Sequence, residues 1–167
     1  MMFNKILVLA SPNPSEGGAS GDSLKINEYE NIARVVFKNL NPATDIYFST
    51  GPMDVLDHSC SKMGFGGKMC VDGTFKFEEE LESGVESRES GVIDPEFSVG
   101  PIKDRFPEIA GINSSLVKKG IPCLIISVKK NRPGHIKELH EQICALPETN
   151  GIKMILYVEH TVDANDL

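Results

Sequence analysis

The chain lacks a basic surplus. Seventeen lysines and arginines stand against 24 aspartates and glutamates, a formal charge of −7 over 167 residues, with a pI near 5.1. A protein that tracks nucleic-acid phosphates needs a stripe of cations. Nucleic acid is therefore excluded as an expected partner, and anionic membrane surfaces are disfavoured for the same reason. Long hydrophobic runs are also missing. The apolar segment nearest the N-terminus, Ile6–Ala10, is five residues long, too short for a signal-peptide core or a membrane span, and reads as a buried strand. The four cysteines, Cys60, Cys70, Cys123 and Cys144, follow no short repeated spacing, so the expected setting is a reduced, cytoplasmic chain.

Familiar catalytic signatures are absent too. The string Gly64-Phe65-Gly66-Gly67-Lys68-Met69 evokes a phosphate loop, but Lys62 and Met69 occupy the places where that pattern needs a glycine and a hydroxyl. His58, Cys60 and Cys70 suggest zinc, yet structural zinc sites bring their ligands as close pairs, and no second pair exists; His135 and His140, five apart, do not align on one helix face. No metal site is expected. A nucleophile could be assembled on paper from Ser59 or Cys60 with His58 or His135 and Asp57, but G-x-S-x-G does not occur.

What the sequence does contain is enough apolar content, 40%, for a real core, and its length predicts a single domain spanning 1–167. Ile6–Ala10, Ile121–Val128 and Met154–Val158 are solid apolar runs and Asp45–Ser49 a weaker one. Continuous apolarity predicts strands covered on both faces. One helix should start at Asn27, with Glu30 completing a capping box and Tyr29, Ile32, Ala33, Val36, Phe37 and Leu40 on one face, and end at Asn41-Pro42. A second should start at Asn131, show Ile136, Leu139, His140 and Ile143, and stop before Pro147. Each joins two strands, giving two βαβ units and a doubly wound α/β fold: a mostly parallel sheet of about four strands with helices on both faces. A looser helix is expected from about 107 to 119, ended by Gly120. Segment 77–103 opens with eight acidic residues and one arginine between Phe77 and Phe97, the composition of a solvated linker. Strands NKILVLA and KMILYVE resemble each other, and Asn165-Asp166 reads as a helix cap with no helix after it.

Two places hold candidate binding chemistry. Segment 54–76 gathers three aspartates, three lysines, a histidine, two cysteines and four glycines in 23 positions; on the residues alone it is a glycine-rich turn assembly whose charges can pair with one another. Lys129, Arg132 and His135 flank a helix start, where unpaired N–H groups and the dipole favour an anion.

As a string, 39–80 also resembles a known family. Asp54-Val55-Leu56-Asp57, Gly64 to Met69 and Val71-Asp72-Gly73-Thr74-Phe75-Lys76 are similar to the "D-x-L-D", "G-x-G-x-K-M" and "(I/V)-D-(A/G)-T-x-K" segments of the UbiD family's C-terminal domain. The family comprises prenylated-flavin-dependent decarboxylases of aromatic and α,β-unsaturated acids, the 3-octaprenyl-4-hydroxybenzoate type of quinone biosynthesis among them. CLIISVKKNRPGHIKELHEQI and KMILYVEHTVDAND are similar to that domain's beginning. The order is inverted: 1–76 matches the second half of one copy, 77–103 is the acidic linker, and 104–167 matches the first half of another. This implies either a segment straddling two tandem copies or a permuted domain.

The family keeps its prenylated FMN, its divalent metal and its catalytic residues in a central domain of split-barrel type, which nothing here resembles. The resemblance therefore implies an assembly and support role, with no catalytic residue and no cofactor in this chain. Its candidate interface or cleft residues are Asp54, His58, Lys62, Gly66, Gly67, Lys68, Asp72 and Lys76. Implied partners are a second copy, by homo-oligomerisation with strand exchange, or a central-domain chain. One alternative is a decarboxylase component active with such a partner, with Lys62, Lys68 and Asp72 at the shared cleft. The other is a small anion- or nucleotide-binding module at the helix start.

Overall fold

The computed structural model describes residues 5–11, 24–54, 60, 62–81 and 98–165. The chain divides into two compact units, Met1–Ser87 and Arg88–Leu167, and the boundary falls within the acidic stretch.

The first unit contains β1 (Ile6–Ala10), α1 (Tyr29–Asn39), β2 (Ile46–Pro52), β3 (Phe65–Gly73) and a single turn, α2 (Glu78–Leu81). Its sheet has the order β1-β3-β2. The centre is β3, parallel to β1 from Ile6–Met69 to Ala10–Gly73 and antiparallel to β2 from Ile46–Val71 to Pro52–Phe65. Much of the expected glycine-rich turn is therefore a nine-residue strand. Gly64, at φ 68°, makes the turn, while Gly66, Gly67 and Gly73 lie in the strand, where pairing of the first two with β2 and of Gly73 with β1 overrides glycine's poor strand propensity.

Helix α1 buries Val36 and Leu40 against Val71, flanked by Ala10, Ile32, Phe37, Ile46 and Met69. The capping box does not form: Glu28 takes the N-cap position, without a side-chain cap, and Glu30 instead pairs with Arg34 one turn on. Tyr29 points to solvent. Leu40 is already extended (ψ 125°), so the helix stops before Pro42.

The second unit contains α3 (Gly100–Arg105), β4 (Ile109–Asn113), α4 (Ser115–Lys118), β5 (Cys123–Val128), α5 (His135–Cys144), a 3₁₀ turn at Pro147–Thr149 and β6 (Met154–Glu159). Its sheet has the order β4-β5-β6. All six residues of β5 are buried, as its unbroken apolar run predicts. The βαβ unit β5–α5–β6 forms with parallel strands. Segment 107–119 is not one loose helix: β4 interrupts it, with a register shift between Ile109 and Gly111, and Gly120 at φ 78° ends the short turn that follows. Ile102, Phe106, Ile109, Val117, Leu124, Ile126, Val128, Leu139 and Ile143 form this unit's core.

The α/β content agrees with expectation; the single doubly wound sheet does not. The described residues form two three-stranded mixed sheets, each with one parallel and one antiparallel pair. The reason lies in the connections. β4–β5 are joined through the single short turn α4 and fold back, whereas β1–β3 and β5–β6 have a longer helix between them and run parallel. The first expected βαβ unit fails on this point, since β1 and β2 are separated by β3 and run oppositely. The two similar strands, β1 and β6, belong to different sheets. Among the described residues, no helix is long and apolar enough to cross a membrane.

Candidate functional site

The spacing of the Asp72-Gly73-Thr74-Phe75-Lys76 segment is explained by a latch at the C-terminal end of β3. Asp72 turns its chain back on itself: its Oδ1 accepts the Thr74 amide at 3.0 Å and the Thr74 hydroxyl at 2.6 Å. Two residues further, Lys76 Nζ reaches Asp72 Oδ2 at 3.0 Å and the Asp72 carbonyl at 3.3 Å. Asp45, buried just before β2, stands 3.8 Å from the same ammonium. Its own oxygens accept the Asn41 amide at 2.8 Å and the Thr44 hydroxyl at 3.0 Å, and its carbonyl accepts the Asp72 amide at 2.9 Å. One cation between two hydrogen-bonded carboxylates ties the start of β2 to the end of β3.

Burial acts to raise the Asp72 pKa, but the Thr74 hydrogen bonds and Lys76 outweigh it and hold the carboxyl below its usual range. A carboxylate with a lowered folded-state pKa contributes stability that is complete above its unfolded value, near pH 4, and is lost as pH falls through the lowered value. Acid titration of unfolding should therefore show a loss of stability beginning below about pH 4. In Asp72→Asn that component should be missing, with the variant less stable at neutral pH. An unchanged acid profile would remove the latch from the account.

Elsewhere on β3, Lys68 is 8% exposed and its stem passes over Gly51, where a Cβ would lie 3.6 Å from Lys68 Cε. Lys68 lines an open cleft of ≈ 590 Å³ with Lys5, Ile6, Phe48, Ser49, Thr50, Gly67 and Met69. Gly66 sits under Cys60, whose Sγ would be 2.8 Å from an added Cβ. Lys62 is exposed beside the Gly64 turn and bridges Phe65, and Asp54 is exposed just past β2. His58, like Asp57 and Ser59, lies outside the described residues. The candidate set thus separates into the latch (Asp72, Lys76), the cleft (Gly67, Lys68), the packed glycine Gly66 and the turn (Lys62). Lys68 and Asp72 share a strand face but stand roughly 13 Å apart along it.

In the second unit, the Arg132 guanidinium forks onto Glu138, with Nη1 2.6 Å from Oε1; the hydrogen bond and charge of Arg132 pull the Glu138 pKa down. His135 is buried, its Nε2 3.4 Å from Glu108 Oε1 and its Nδ1 3.5 Å from the Asn131 amide. Gly134 N-caps α5 at φ 79°, a conformation that requires glycine in the Pro133-Gly134-His135 turn. Lys129 is exposed at the end of β5. Carboxylates thus already face two of the three residues of the expected anion site.

One cluster was not foreseen. His140 is exposed rather than part of the buried helix face, and its Nδ1 lies 3.1 Å from Tyr157 Oη. Cys144 Sγ lies 3.7 and 3.5 Å from the two ring nitrogens. Near-equal distances place the sulfur away from either in-plane lone pair, which suits neither a chelate nor a thiolate–imidazolium pair. Burial raises the Cys144 pKa as well, against a reactive thiolate. The four thiols are free, and among the described residues no three His, Cys, Asp or Glu side chains gather as metal ligands.

Residues 2–73 match the family model of the 3-octaprenyl-4-hydroxybenzoate carboxy-lyase C-terminal domain. The match takes in β1, α1, β2 and β3 and ends at the latch. Among curated proteins, an uncharacterized protein of Aquifex aeolicus (strain VF5) is 50% identical over 42 residues, 25% of this chain and 9% of that protein. The aligned region is thus a small part of that relative's length.

Proposed function

Because the chain carries, over residues 2–73, the UbiD-family C-terminal domain, we propose that it supports the assembly of a decarboxylase and does not turn over substrate by itself. The observation that carries this reading is the latch. The charged residues of the family-like segment 71–76 bind Asp45 and Thr74, which is work of folding rather than of chemistry. In this reading prenylated FMN and its metal belong to a central-domain partner. Residues 104–167 act as the first half of a second copy, a view favoured by the β5–α5–β6 unit and its Pro133-Gly134-His135 turn.

Lys68 at the cleft favours a second reading, in which this surface closes over a partner's flavin site. Incubating the purified chain with prenylated flavin and an aromatic acid should give neither retained flavin nor carbon dioxide. Flavin binding with carbon dioxide release by the chain alone would refute the assembly role. Co-purification with a central-domain protein, with activity of the pair dependent on Lys68, would establish the second reading instead.

A further inference from the structure

The turn between β5 and α5 is closed by a histidine that is buried and titratable at once. His135 is 6% exposed and opens α5 directly after Gly134. Its two ring nitrogens meet different partners. Nδ1 lies 3.5 Å from the Asn131 amide, and Nε2 lies 3.4 Å from Oε1 of Glu108, just ahead of β4. A backbone amide can only donate, so Nδ1 must present its lone pair, and the single proton of the neutral ring then sits on Nε2 and points to the carboxylate. The surroundings select one tautomer.

A second proton has only Nδ1 to go to, where a donor already stands. The charges around the ring act in opposite directions. Glu108, and Glu138 one turn along α5, favour the imidazolium; the Glu138 carboxyl, held low first by the Arg132 hydrogen bond, also feels a charge on His135. Burial, the N-terminal end of α5 and the exposed cations Lys129, Lys130 and Arg132 of the turn oppose it. At the end of the neighbouring β6, Glu159 is taken up by His160. A ring that accepts the proton therefore keeps Glu108 and turns an N–H against the Asn131 amide. Another bond across the turn, from the His135 amide to the Arg132 carbonyl, is itself long at 3.4 Å and holds the turn weakly.

We propose that His135 is an acid-sensitive fastening of the Asn131–Gly134 turn: the neutral ring holds the turn through the Asn131 amide, and the protonated ring releases it while staying on Glu108. The rearrangement falls where Lys129, Lys130 and Arg132 are displayed. It concerns the second unit alone and stands apart from the assembly role, which neither outcome alters.

Nuclear magnetic resonance of the full chain, from about pH 8 to about pH 5, where histidines ordinarily change charge, reads both partners. At the upper end the ring nitrogen shifts should show the Nε2–H tautomer. As pH falls, the Asn131 amide shift should move in step with the His135 ring. Protection of that amide from solvent exchange, relative to an unstructured chain, should drop roughly fivefold, the worth of one net hydrogen bond. In His135→Asn the side-chain oxygen can take the place of Nδ1 without titrating, so the Asn131 signal should stay flat. Glu108→Gln, which removes the anion at Nε2, should move the transition to lower pH. Circular dichroism verifies the folding of both variants, and the wild-type titration decides the matter if either fails to fold. The Nδ1–H tautomer, an Asn131 amide indifferent to the ring, a ring that stays uncharged throughout, or a transition that persists in His135→Asn or is unmoved in Glu108→Gln would each overturn the proposal.

Discussion

Gly73→Ala is expected to destabilise the first unit by about 3 kcal/mol, the upper end of the cost of overpacking. An added Cβ at position 73 would lie 2.7 Å from Val36 Cα and 2.8 Å from Val36 Cγ1. The obstacle is helix backbone, so no rotamer change relieves it, and α1 must lift from β3. Its buried residues Val36 and Leu40 would then lose their contact with Val71. Gly67 in the same strand is the control. A Cβ there meets nothing within 4 Å, so Gly67→Ala should be neutral or slightly stabilising, through the loss of glycine's unfolded-state freedom. Urea unfolding followed by circular dichroism measures both. Equal effects at the two positions would mean that α1 does not approach the sheet at Gly73.

Leu124→Ala should cost the second unit about 2–5 kcal/mol, a large part of the stability of a unit this small. Leu124 is fully buried in β5, and the strand pairs on both sides, so the structure has little freedom to collapse into the cavity. Leu156 in the neighbouring β6 is 46% exposed, and Leu156→Ala should cost under about 1 kcal/mol. Hydrogen exchange of the β5 amides would resolve the difference. Comparable losses at 124 and 156 would contradict the placement of the core.

The strands legible in advance were those whose apolar residues run unbroken: Ile6–Ala10, Ile121–Val128 and Met154–Val158 each contain or overlap a real strand, but the expected burial on both faces holds only for β5, since Ile6, Val8 and Leu9 of β1 are exposed and β6 is only half-buried. Both main helices were legible from their apolar spacing, though not their starts. Glu28 and Gly134 occupy the N-cap positions because local pairing, of Glu30 with Arg34 and through the Gly134 turn, replaced the expected caps. Two strands were missed. β3 carries four polar or small residues, Gly66, Gly67, Lys68 and Cys70, among the five positions between Phe65 and Val71, and its state depends on strand partners at least 13 positions away. β4, which follows Pro107, is too short to show a period, and its strand partner β5 lies ten or more positions further on.

The candidate site divides in the same way. The string 39–80 pointed to the UbiD family's C-terminal domain, and the match of residues 2–73 to that domain's model agrees. That Asp72 and Lys76 close on Asp45 could not be read from spacing, because Asp45 lies 27 positions from Asp72.

By itself the sequence determined the chain's acidic character, its α/β content, its longest apolar elements and its UbiD-family likeness, since each of these is carried by residue type or by neighbours a few positions apart. Only the tertiary structure decided which strands pair, that they form two mixed sheets, and that Lys62, Lys68 and the Asp72–Lys76 pair serve separate places. Strand partners and ion pairs are chosen by distance in space, which loop geometry and burial set and linear spacing does not encode.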